Sequence, residues 1–126
     1  VKFRKAISKA IDKKTIAETT LRGLATPMGS FVSPGNKAWL NKAISADTYD
    51  LAGAKQLLAD AAFVTKGTEQ TPELYDGKGN RVEFTLLVGV ENQPRNLAAA
   101  VIQEDLAKLG IKVQVAPIES KDITAR

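Results

Sequence analysis

At 126 residues, 44% of them hydrophobic and 25% charged, the chain has the size and make-up of one ordinary soluble domain with a core of its own. It contains no cysteine and no histidine. That excludes a disulfide framework and thiol or imidazole catalysis, and it leaves zinc, haem and iron–sulfur sites without their usual ligands. The net charge of +4 is uneven, with +5 in residues 1–22 and −1 in the rest.

Phe3, Ala6, Ile7, Ala10 and Ile11 recur at helical spacing, with Lys2, Arg4, Lys5 and Lys9 mostly on the opposite side, so residues 1–11 are expected to form an amphipathic helix. Asp12 is a candidate N-cap for a second helix that buries Ile16, Ala17 and Leu21 and stops at Gly23. Residues 25–46 contain Pro27, Gly29, Pro34, Gly35 and Asn36 and are expected to be irregular. Their apolar members Met28, Phe31, Val32, Trp39 and Leu40 are expected to pack on something, with Trp39 as an anchor for the loop.

Asp50 caps the next expected helix, whose buried stripe is Leu51, Ala54, Leu57, Leu58, Ala61 and Ala62. Residues 64–81 read as a polar loop ending in the turn cluster Asp76-Gly77-Lys78-Gly79-Asn80. Val82, Phe84, Leu86 and Val88 alternate with their neighbours as a strand does. A helix is expected from Arg95 to Leu109, with Leu97, Val101, Ile102, Leu106 and Leu109 inward, and Gly110 ends it. Ile111, Val113 and Val115 mark a second strand, which makes residues 82–117 a βαβ unit with parallel strands.

Chemistry-bearing motifs are few. Gly77-Lys78-Gly79 lacks phosphate-loop spacing and precedes a strand, so it reads as a hairpin-like turn. Glu104 and Asp105 are adjacent on a helix, diverge, and read as solvated. The loop Gly89–Arg95 leaves the carboxyl end of a strand and enters a helix, where open α/β sheets bind ligands; Asn92, Gln93 and Arg95 are its candidate contacts. The basic residues 1–22 read as a solvated helix face, with a nucleic-acid-binding module as the alternative. No GxSxG or comparable catalytic motif is present. No apolar stretch approaches the ~20 residues that span a membrane. There is no signal-peptide pattern, and the chain opens on Val1 directly in helical periodicity. We therefore expect a segment of a longer protein.

The order of several weak motifs carries a resemblance. Phe3-Arg4-Lys5-Ala6-Ile7-Ser8 with Ala10-Ile11-Asp12-Lys13 is similar to the "RxAIsxAIDR" segment of the family 5 extracellular solute-binding proteins. Gly23-Leu24-Ala25-Thr26-Pro27 resembles that family's "GxAxP" stretch, and Tyr49-Asp50 with Ala54 to Ala61 its "YDpxkAKxLLaeAG". Asp76-Gly77, Phe84 to Leu87 and Ile102 to Val113 complete the series. Three departures stand out: Ala62 replaces the usual Gly before Phe63, Lys13 stands where Arg is common, and residues 65–75 are long.

The resemblance implies a mixed α/β or α+β, periplasmic-binding-protein-like lobe fragment, with helices on a small sheet. Residues 1–126 would form a single domain within the C-terminal lobe of a two-lobe protein. It implies a non-catalytic component of an ABC importer for peptides or other small solutes, partnered by permease subunits. No cofactor, nucleic acid or direct membrane insertion is implied, and the setting is periplasmic or cell-surface and lipid-anchored. It also points to Ser120, where some members place a pocket aromatic, as a further ligand-binding candidate.

Overall fold

The computed structural model describes residues 1–124. Its elements are α1 (Lys2–Ala10), α2 (Lys13–Thr15), a π-helical turn (Ile16–Thr20), α3 (Leu51–Ala59), β1 (Val64–Gly67), β2 (Pro72–Tyr75), β3 (Glu83–Gly89), α4 (Gln93–Ala107), β4 (Lys112–Ile118) and α5 (Ser120–Thr124). The mixed helix-and-strand architecture agrees with the fold class expected from the sequence.

Helices α1 and α3 pack through small residues. Ala6, Ala10 and Ala54 are fully buried, and the absence of bulk there lets the two backbones come close. Asp50 fixes the contact. Its N–H donates to the Lys9 carbonyl at 2.9 Å, and its carboxylate accepts from the Gly53 N–H at 2.8 Å and from Lys9 Nζ at 3.2 Å. One residue thus caps α3, as expected, and also ties it to α1. Phe3 extends the seam by stacking on Phe63, ring centroids 5.0 Å apart.

Strands β3 and β4 are parallel, in register from Glu83 opposite Lys112 to Gly89 opposite Ile118. Helix α4 crosses over and packs on them, which confirms the expected βαβ unit. Lys112 N–H donates to the Val82 carbonyl and Val90 N–H to the Ile118 carbonyl, so the even-numbered residues of β4 bond β3. Val113, Val115 and Pro117 therefore turn their backbone groups to the opposite edge. On that edge the Val113 carbonyl accepts from Gln103 Nε2 at 2.6 Å.

Several expectations are corrected. Residues 64–81 are not a loop: β1 and β2 pair antiparallel from Val64–Tyr75 to Gly67–Pro72. β1 is exposed throughout and so carries no alternating apolar signal. β2 contributes Leu74, one of the largest fully buried side chains. The hairpin docks on the α4–β4 turn, where Leu74 N–H donates to the Gly110 carbonyl at 2.9 Å. A Cβ on Gly110, whose φ is +84°, would lie 2.7 Å from the Leu74 nitrogen, so close docking there requires glycine. The Asp76–Asn80 cluster is the turn it was expected to be: the Asp76 carboxylate accepts from the N–H groups of Lys78 and Asn80.

The second helix is also different from the expectation. After α2 it widens into the π turn, with Leu21 N–H reaching the Ile16 carbonyl, and it ends on two left-handed residues, Arg22 (φ 53°) and Gly23 (φ 74°). Lys13 is not simply solvated, because its ammonium donates to the Ser8 carbonyl and hydroxyl.

Asp105, expected to be solvated, is 3% exposed and is the buried charged residue of the core. Its carboxylate accepts the Asp12 N–H at 2.9 Å and Lys108 Nζ at 2.7 Å, so it holds the α1–α2 junction against α4. The Asp105 carboxylate, by hydrogen bond first, raises the Lys108 pKa above its ordinary value. Trp39, expected to anchor its loop, is 78% exposed, and Phe31 and Leu24 are also open to solvent. Leu97, expected inward, is exposed as well.

Candidate functional site

The carboxyl ends of β3 and β4 lie side by side, and each runs into a loop that starts a helix. The two loops meet through Glu91 and Ser120. Ser120 N–H donates to Glu91 Oε1 at 3.2 Å, and the Ser120 hydroxyl crowds Gly89, where a Cβ would lie 2.6 Å from Oγ. Hydrogen bonding from the Ser120 side chain, followed by the backbone N–H of Glu91 itself, holds the Glu91 pKa below its ordinary value. The carboxylate is therefore ionised at neutral pH and fixed at the strand ends.

The four residues singled out from the sequence do not gather in one place. Ser120 is at the strand-end mouth. Arg95 stands in the first turn of α4, on the same helix face by spacing as Ala99, Ile102 and Leu106, exposed and without an ion pair among the described residues. Asn92 is engaged as the N-cap of α4, its Oδ1 accepting the Arg95 N–H at 3.0 Å. Asn96 Nδ2 adds bonds to the carbonyls of Gly89 and Asn92 and so stiffens the loop. Gln93 turns away from the mouth into a separate cleft.

That cleft, of about 440 Å³, lies between the end of the π turn and the first turn of α4, with Leu21, Arg22, Leu24, Gln93, Pro94 and Leu97 among its walls. Residues 20–25 were not picked out as site candidates. The signal that could have found them was the Gly23–Pro27 stretch, whose motif character was visible though its position was not. Among the described residues, no group of three or more acidic side chains gathers to hold a metal ion. No helix there is long and apolar enough to cross a membrane. The basic face of residues 1–22 is partly occupied by Lys2 with Asp60, Lys9 with Asp50, and Lys13 with Ser8.

The family described as bacterial extracellular solute-binding proteins, family 5 Middle, matches residues 1–126, the whole chain. The chain belongs to this family. A probable ABC transporter-binding protein of Deinococcus radiodurans is 34% identical over 98% of the chain and 20% of that protein. The oligopeptide-binding protein AppA of Bacillus subtilis, solved with a nonapeptide, superposes with a TM-score of 0.86 at 27% identity, over 98% of this chain and 24% of AppA. NikA of Brucella suis, solved with Fe(III)-EDTA, superposes with a TM-score of 0.81 at 26% identity, over 99% of this chain and 24% of NikA. The chain spans about a fifth of the length of the curated relatives it matches. Within family 5, then, one backbone frame serves ligands as different as a peptide and a metal chelate.

Proposed function

We propose that this chain forms part of the substrate-binding component of an ABC-type importer, where residues 1–126 serve as a single domain of its C-terminal lobe and the solute is a di- or oligopeptide. The component captures without catalysis and delivers to permease subunits, in a periplasmic or lipid-anchored cell-surface setting. The observation that carries this reading is the strand-end mouth. The Glu91 carboxylate is held at the strand ends by Ser120, and Arg95 stands exposed in the first turn of the helix that follows β3, so the region offers the opposite charges that suit a zwitterionic solute. The hydroxyl and N–H of Ser120 share this mouth.

The mouth is a surface and not an enclosure. Peptide binding through water-mediated polar contacts needs a second wall to exclude bulk water. The chain alone is therefore expected to show no micromolar affinity for di- to pentapeptides in calorimetry, and such affinity would contradict the two-wall reading. The direct test is a chimaera in which residues 1–126 replace the matching fifth of the Bacillus subtilis oligopeptide-binding protein. Retained nonapeptide binding supports the peptide reading. Complete loss in a chimaera with native circular dichroism points to another solute class.

A further inference from the structure

We infer that the cleft between the π turn and the first turn of α4 is a second binding subsite, one that takes an apolar group bearing a carboxylate, with Arg22 as its anion anchor. This inference rests on the reading of the chain as a solute-capture module and gives that module a preference at a place apart from the strand-end mouth.

Three observations converge. The cleft volume of about 440 Å³ falls within the range of small-molecule sites. Its walls expose Leu24 and Leu97, and Pro94 and Leu21 continue the same apolar surface. The third observation is the backbone of Arg22. Its φ of 53° is left-handed, a conformation that costs any residue with a Cβ and that glycine adopts freely. The guanidinium forms no ion pair and no side-chain hydrogen bond among the described residues. That left-handed turn ends the helix, since it lets the Gly23 N–H donate to the Ala17 carbonyl at 2.9 Å, and it leaves the guanidinium without a partner among the described residues at the rim of an apolar cleft. A single guanidinium fork matches a carboxylate in shape and charge, and the Thr20 hydroxyl and Gln93 amide can orient the rest.

The test uses N-acetyl-leucine and its neutral amide, probes that share an apolar body and differ only in charge. Each is titrated at millimolar concentration into the labelled chain and followed by backbone amide NMR. The expected shifts fall on residues 20–25 and 93–97, and the carboxylate binds roughly three- to tenfold more tightly than the amide. Arg22→Gly is expected to abolish that preference without lowering Tm. Leu97→Asp, at an exposed position, is expected to abolish binding of both probes. Ala62→Gly relieves the other left-handed non-glycine residue, away from the cleft, and should leave both affinities unchanged. Three results would overturn the inference: no shifts, shifts confined to residues 89–91 and 120, or an Arg22→Gly variant that keeps the preference or loses Tm. Failure of the peptide reading shows separately, in the chimaera, and does not alter the outcome of this titration.

Discussion

The body of the molecule and the arm formed by residues 24–49 contain similar kinds of residue and treat them in opposite ways. In the body, Leu58, Leu74, Leu106, Leu109 and Ile111 are buried in one cluster. In the arm, Leu24, Phe31 and Trp39 stand in solvent, and Phe31 has an exposure of 106%. The arm's backbone bonds are short in range, such as Leu40 N–H to the Asn36 carbonyl and Ile44 N–H to that of Asn41. Its two limbs touch where a Cβ on Gly29 would run into the Ser45 carbonyl. Apolar content by itself, therefore, does not bury a segment. Periodicity does, because it gathers apolar groups on one face that a partner element can cover.

The contrast can be tested by substitution. Leu74→Ala removes a fully buried side chain from the hairpin–turn junction and is expected to cost about 2–5 kcal/mol in urea unfolding. Trp39→Ala, in the arm, should leave the midpoint within about 0.5 kcal/mol. A Trp39 cost near that of Leu74 would erase the distinction. Asp105→Ala leaves the Asp12 N–H without its acceptor and should cost about 1.5–3 kcal/mol. Asp105→Asn, which keeps an acceptor, should recover part of that loss in the same assay.

Ala62→Gly is expected to stabilise the body by about 0.5–1 kcal/mol, because Ala62 sits at φ 62° where the end of α3 needs a left-handed residue. The smallest effect concerns acid. The pKa of Asp12 lies below the ordinary 3.8, chiefly through the Thr15 N–H and then the Thr15 hydroxyl. A depressed carboxylate pKa gives stability that is present above the unfolded-state value and lost as pH falls through the folded one. Asp12→Asn keeps a cap acceptor, and the acid limb of its Tm profile should be shallower than that of the parent chain.

These comparisons also show what was legible in the sequence. Helices α1, α3 and α4 and the parallel pair followed from spacing, with Asp12 and Asp50 marking helix starts. The β1–β2 hairpin was not legible. Its first strand has no buried residue, and its second is held by Leu74 against Gly110, a contact far along the chain. Asp105 was read as solvated because its partner, the Asp12 N–H, is 93 positions away and is a backbone group that no side-chain pattern reveals. At the strand-end mouth, Ser120 came from resemblance and Arg95 from the position of its loop. Glu91, the residue that joins the two loops, was not among the candidates drawn from its loop. The left-handed backbone of Arg22 has no signature in the sequence, since arginine is seldom found there.

The outer edge of β4 has a consequence for the molecule in company. A strand with an open edge is a template on which another chain can grow. Here the Gln103 amide covers the Val113 carbonyl, and Pro117, facing the same way, has no N–H to offer. An incoming strand would find its ladder interrupted at both ends. The outer edge of β4 is thereby guarded against the uncontrolled stacking of one copy on the next.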